Sequence, residues 1–256
     1  MPKILNVAGY KFITLTQLPD LRATLLNRAR ALALKGTILL SPEGINVSLA
    51  GVPDQVSVFI DELSQDSRFS DIVYKESVSD FQPFRRIKVK IKQEIITLRL
   101  PEISPEQAVA PEITPQEFKQ WLDENRDITI LDTRNDYEVQ FGTFQNAVNL
   151  KIKDFGEFPK AAKSISQDKP IVMFCTGGIR CEKAAWVMLN DGYSQVFQLK
   201  GGILNYFAEV GGSHYDGECY VFDQRVGLDP NLQPSGSAQC MSCYGPIKNN
   251  SHSCSL

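Results

Sequence analysis

Histidine is nearly missing from this sequence: of 256 residues only His214 and His252 are histidines, both near the C-terminal end. A histidine-based oxygenase iron site is therefore not expected. Neither H-E-x-x-H, nor a His/carboxylate iron pattern, nor G-x-G-x-x-G occurs, so no metal or flavin fingerprint marks the chain. Long apolar runs are missing as well. A membrane-spanning helix needs about 20 apolar residues in succession, and no stretch approaches that. The opening MPKILNVAGYKF has neither an extended apolar segment nor a cleavage-like site, so no signal peptide is expected. Cysteine is sparse. Six in 256 residues is far below the density of a disulfide scaffold. Free or metal-bound thiols in a reducing cytoplasm are the expectation. Excess positive charge is lacking too. The formal net charge is −3, which argues against a generally basic nucleic-acid coat and leaves any RNA contact to a local patch.

What is present divides the chain in three. Residues 1–100 alternate strand and helix signals. LNVAGYKFI (5–13) reads as a strand. Residues 19–36 read as an amphipathic helix, with Leu21, Leu25, Ala29 and Leu32 on one side and Gly36 as its stop. TILL and INVSLA flank a tight SPEG loop, residues 53–66 form a second helix with Pro53 near its first turn, and IVYKES and RIKVKIKQEIITL are later strands. The order β-α-β-β-α-β predicts an α+β, ferredoxin-like split βαβ domain. The proline-rich stretch PEISPEQAVAPEITP makes residues 101–113 a linker. Thr114-Pro115-Gln116-Glu117 is a capping box that starts a helix. The strand signals DITIL, AVNL, PIVMF and QVFQL, with helical stretches between most of them, predict an α/β domain with a parallel sheet over 114–212. Residues 213–256 are polar and cysteine-containing, and read as an irregular tail.

The chemistry concentrates in PIVMFCTGGIRCEK (170–183). Cys175 ends an apolar strand and precedes a helix, the position at which open α/β sheets bind ligands. Thr176, Gly177, Gly178 and Ile179 lead to Arg180. The two glycines let the loop curl so that backbone N–H groups point inward as an anion nest. The helix dipole and Arg180 add positive charge, which lowers a thiol pKa. The same field stabilises the outer sulfur of a persulfide or an oxyanion. Tyrosine phosphatases place one more residue between Cys and Arg and have His where this chain has Phe174; the smaller ring here suits sulfur better than phosphate. The plain alternative is a buried, inert cysteine at a strand end.

Asp132 and Arg134 end the strand ITIL, and the carboxyl edge of the sheet would bring them toward the Cys175 loop. Alternatively, Asp132 caps the next helix and Arg134 pairs with Glu138 one turn on. Cys181 is either a partner that resolves an oxidised Cys175 or a helix residue packed inward. Cys175 alone is the expected reactive residue. Gly201-Gly202 reads as a tight strand-to-helix turn. In the first domain Arg86, Lys88, Lys90 and Lys92 alternate along one strand face, with Arg85 beside them. They form either a phosphate-binding stripe or a solvated face. Cys219, Cys240, Cys243 and Cys254, with His252 as a substitute, supply the ligand types of a tetrahedral zinc site; free thiols are the alternative.

LDTRNDYEVQFGTFQNAVNL, CTGGIRCEKA and QLKGGILNYF resemble a rhodanese-like domain. With KGTILLSPEGINVSLAG and CYVFDQRV, the chain resembles the rhodanese-domain tRNA uridine hydroxylases (TrhO) over nearly its whole length. The resemblance implies oxygen-dependent conversion of the wobble uridine of tRNA to 5-hydroxyuridine. It also implies dioxygen as co-substrate, a cytoplasmic setting, and Cys175 as the essential residue, described in the family as a persulfide. It names no electron donor. The tail departs from the family pattern of two cysteine pairs: Cys240 and Cys243 form one, and Cys254 stands alone. A sulfurtransferase carrying sulfur on Cys175 would use the same loop. Inactive rhodanese-like modules tend to lose the loop cysteine, whereas this chain keeps Cys175 and Arg180.

Overall fold

The computed structural model describes residues 3–100, 103 and 110–247, in two units, Met1–Thr97 and Leu98–Leu256. The first contains β1 (Ile4–Phe12), α1 (Leu18–Ala31), β2 (Lys35–Ser41), β3 (Gly44–Gly51), α2 (Pro53–Ser64), β4 (Lys75–Ser79) and β5 (Ile87–Ile91). The sheet order is β4-β1-β3-β2-β5. All pairs are antiparallel except β2 with β5. This is the expected split βαβ arrangement with one strand added at the edge. Alternation along β2 and β3 puts Ile38, Leu40, Ile45 and Val47 in the core, where Leu25 and Ala29 of α1 and Phe59 of α2 meet them.

Two boundaries differ from the sequence expectation. The first helix stops at Ala31, not at Gly36. Ala33 takes a left-handed φ of 52°, and Lys35 already begins β2, where Gly36 pairs with Leu49. Periodicity cannot separate the last helical turn from an apolar strand start. The RIKVKIKQEIITL run is a strand only over Ile87–Ile91. It then leaves the sheet, and the Ile95 N–H donates to Glu43 Oε1 at 2.7 Å. Val89 is buried as the alternation predicts, but Ile91 is 41% exposed.

The second unit contains β6 (Glu112–Ile113), α3 (Pro115–Asp123), β7 (Thr129–Asp132), α4 (Asp136–Val139), β8 (Gly142–Phe144), β9 (Val148–Asn149), α5 (Phe158–Ala161), β10 (Ile171–Phe174), α6 (Ile179–Asn190), β11 (Val196–Leu199), α7 (Gly202–Val210), β12 (Tyr215–Gly217), β13 (Cys219–Tyr220) and β14 (Gly227–Leu228). The parallel sheet β6-β11-β10-β7-β9 matches the α/β reading. Helix α3 starts on the expected capping box: Thr114 Oγ1 accepts from the Glu117 N–H at 3.2 Å, and Glu117 Oε2 accepts from the Thr114 N–H at 3.0 Å. Glu112 and Ile113, assigned above to the linker, pair with β11. Most of the remaining linker lies outside the described residues. All four β10 residues are buried, as strands covered on both faces must be.

The segment after Gly212 does not behave as an irregular tail. Its β12 pairs antiparallel with β8, and Tyr215 and Cys219 join Phe118, Phe144, Phe174 and Tyr206 in one apolar cluster. Gly142 O accepts from Tyr215 Oη at 2.8 Å. Composition alone hides this, because a few aromatics among polar residues are enough to seat a short strand. Among the described residues no helix is long and apolar enough to cross a membrane.

Candidate active site

Cys175 follows the last residue of β10, and its thiol is fully buried. Three features hold the loop. The Gly178 N–H donates to Cys175 Sγ at 3.1 Å. The Ile203 and Leu204 N–H groups, in the first turn of α7, donate to the carbonyls of Cys175 and Thr176 at 2.9 and 3.1 Å. Gly202 permits this approach. Its φ is 67°, and an added Cβ would run into the Cys175 carbonyl and sit 2.9 Å from both Gly178 N and Thr176 O. The loop glycines are not equivalent. Gly178 has a φ of 100°, whereas an added Cβ on Gly177 would meet nothing within 4 Å. Only Gly178 is required by backbone geometry.

Arg180, the second residue of α6, is almost wholly buried. Glu138 of α4 grips it from both sides: Arg180 Nη1 donates to Oε1 at 2.6 Å and Nη2 to Oε2 at 2.8 Å. This paired geometry fixes the guanidinium plane. Burial works against the charge of Arg180, but Glu138 outweighs it and the guanidinium stays protonated. Burial likewise pushes the Cys175 thiol up. A hydrogen bond from Cys181, the charge of Arg180 and the Arg180 and Gly177 amides outweigh it, and the thiol falls from 9.0 to about 5. Cys181 goes the other way: burial and the neighbouring Cys175 push its thiol well above the ordinary range. The pair is therefore one thiolate and one thiol donor. Cys181 Sγ also lies 3.7 Å from Thr133 Oγ1, which donates to Phe174 O at 3.0 Å.

Asp132 lies beside Phe174 in the sheet register, next to the Cys175 loop. Asp132 and Arg134 are fully buried and pair with each other, through Arg134 Nε to Asp132 Oδ1 at 2.9 Å and Nη2 to Oδ2 at 2.6 Å. Arg134 Nη2 also donates to Gly142 O at 2.7 Å, and Thr143 Oγ1 to Asp132 Oδ2 at 2.8 Å. The pair therefore ties the end of β7 to β8. Glu138 is not the partner of Arg134, because Arg134 precedes the first residue of α4 and the one-turn spacing does not apply. Glu138 is the Arg180 partner that sequence reasoning missed. Its one available signal is that a buried arginine in the Cys175 loop must find a carboxylate.

The C-terminal segment completes the site. Thr176 Oγ1 donates to Tyr220 O at 3.4 Å. Tyr220 packs against Tyr137 at 5.4 Å, Phe141 at 5.1 Å and Phe222 at 5.1 Å. Cys219 does not belong to a zinc site with Cys240 and Cys243: among the described residues no group of three ligating side chains comes together. Cys219 sits in the apolar core, and burial pushes its thiol up to about 12. Cys240 is half-buried and Cys243 exposed. Cys254 and His252 lie outside the described residues. The basic stripe is in the first unit, with Arg85, Arg86, Lys90 and Lys92 exposed and Lys88 half-buried.

Residues 4–95 match the UPF0176 acylphosphatase like domain, and residues 114–209 match the Rhodanese-like domain. A tRNA uridine(34) hydroxylase of Cupriavidus necator is 51% identical over 253 residues, covering 96% of this chain and 90% of that protein. Another from Variovorax paradoxus is 52% identical over 240 residues, covering 91% of each. The solution structure of a rhodanese-like domain from Anabaena sp. is 24% identical with a TM-score of 0.36, covering 43% of this chain and 80% of that one. With about half its residues shared over almost the full length of such relatives, the chain belongs to the tRNA uridine(34) hydroxylase family.

Proposed function

We propose that the protein hydroxylates the wobble uridine of tRNA to 5-hydroxyuridine, with Cys175 as its essential residue. The carrying observation is the loop that cradles Cys175, with the Gly178 N–H donating to its Sγ at 3.1 Å beside the clamped Arg180, in a chain half identical to a tRNA uridine(34) hydroxylase. In this reading one oxygen atom of dioxygen enters the C5–H bond of the pyrimidine. The other leaves as water with two protons and two electrons, which an external thiol reductant supplies. Cys175 works as a persulfide. Full burial of its Sγ supports this, since a second sulfur about 2.05 Å further on extends the reach of the side chain. Arg180 and the loop amides stabilise a negative outer sulfur as they do the thiolate. Arg85, Arg86, Lys88, Lys90 and Lys92 bind tRNA phosphates, and a tRNA substrate places the enzyme in the cytoplasm.

The test is accurate-mass nucleoside analysis of unmodified tRNA incubated with the protein, a thiol reductant and isotopically labelled dioxygen, with Cys175→Ala as control. Accurate mass is needed because adding oxygen and replacing oxygen by sulfur give nearly the same increment. Labelled oxygen in the wobble uridine, lost in Cys175→Ala, is the expected result. Sulfur transfer from thiosulfate to an acceptor without labelled nucleoside would replace the reading by a sulfurtransferase on the same cysteine.

A further inference from the structure

Phe222 breaks the burial pattern of its segment. Cys219, Tyr220 and Val221 are all buried, yet Phe222 is 62% exposed. A single exposed apolar side chain is ordinary; the bracing of this one is not. The Arg180 guanidinium lies over its ring, 6.0 Å from the centroid. Tyr220 meets it edge-on, at 87°, and Tyr220 is itself held by Tyr137 and Phe141. The guanidinium under Phe222 is the one that Glu138 clamps and that lowers the Cys175 thiol. The ring therefore stands at the edge of the reactive loop, fixed by buried groups and open to solvent.

We propose that Phe222 is the stacking platform for the pyrimidine base of the tRNA substrate. It is a positioning residue that presents the base to the Cys175 loop. The proposal rests on the hydroxylase reading. Enzymes that act on a nucleobase take it out of its stack and hold it against aromatic faces. Uracil has no exocyclic amine and a small ring, so its π face is the largest surface it offers. The Arg180 charge against Phe222 fits the same use, because a rigidly held ring loses little freedom on binding.

Phe222→Ala, Phe222→Leu and Phe222→Trp separate stacking from bulk. Binding of an unmodified tRNA transcript and its kcat/KM for hydroxylation are measured for each, beside the ultraviolet titration of the Cys175 thiolate. Stacking on one aromatic ring predicts a loss of about 5- to 150-fold in affinity for the Ala and Leu variants. The Trp variant stays near wild type, and the thiolate titration does not move. Wild-type binding and kcat/KM in the Leu variant would overturn the proposal, since an aliphatic side chain then suffices. A shifted thiolate titration in the Ala variant would also overturn it, because Phe222 would then act through Arg180. If the wild-type protein makes no hydroxylated nucleoside, the enzyme assignment fails; transcript binding to the wild type and the Ala variant still reports stacking on its own.

Discussion

Removing the Arg180 charge tests how the loop makes its thiolate. In the folded protein Arg180, the Cys181 donor and the loop amides hold the Cys175 thiol well below its ordinary range, at about 5, which favours the thiolate at neutral pH. Arg180→Met keeps much of the side-chain volume and removes the cation. The loss of one neighbouring opposite charge raises a thiol by about one to three pH units. The Cys181 donor and loop amides remain, so the rise stops short of a bare buried thiol. The single variant also leaves Glu138 as a buried carboxylate without its cation, a defect that costs about 3–5 kcal/mol. Arg180→Met/Glu138→Gln removes both charges and avoids that cost. Both variants are expected to show the raised thiolate titration by ultraviolet absorbance, read against Cys175→Ser. Only the single variant should lose stability to urea. An unchanged titration in the double variant would refute the role assigned to Arg180. Linkage gives a second reading. Because the folded thiol is depressed, the unfolded chain binds more protons between about pH 5 and 9, so Cys175 adds stability as pH rises through that window. The contribution is full near pH 9 and is lost as pH falls to about 5. Cys175→Ser should flatten that slope.

The donor role of Cys181 predicts that Cys181→Ser keeps the low Cys175 titration and most turnover, whereas Cys181→Ala raises the thiol; a Cys181→Ser variant that folds but has no turnover would assign Cys181 a chemical step. Lys90→Glu/Lys92→Glu should weaken tRNA binding and reduce the salt slope by about two counterions; an unchanged slope removes the phosphate stripe. Gly202→Ala meets both a positive φ and the Cys175 carbonyl. It should cost more than about 1 kcal/mol and abolish turnover, as denaturant melts and the nucleoside assay would show.

Much of the fold is legible in the sequence because its signals are local. The Thr114 capping box, the apolar run ending at Phe174 and the helix after Gly178 each depend on neighbours within a few residues. The basic, amide-lined setting of Cys175 is likewise written in the loop that follows it. The misread parts are those decided by distant partners. Arg134 takes Asp132, two residues back, rather than Glu138 four residues on, because the packed structure sends Glu138 to Arg180 across 42 residues. No spacing rule chooses among like-charged candidates; only the packed distances do, since a buried charge must be paired where it lies.

The same division holds for the C-terminal segment. Its polar composition describes a tail, but Tyr215, Cys219 and Tyr220 gain enough burial against β8 and α4 to draw the chain back over the Cys175 loop. The sequence by itself determined an α+β domain, an α/β domain and a cysteine loop at a parallel strand end, because strand alternation, caps and the Cys-to-Arg spacing are short-range. Tertiary structure alone decided that Glu138 sets Arg180, that Cys219 joins the apolar core, and that Phe222 stands open beside the site. Those outcomes depend on which burials and charge pairs lie within reach once the two ends of the unit are folded together.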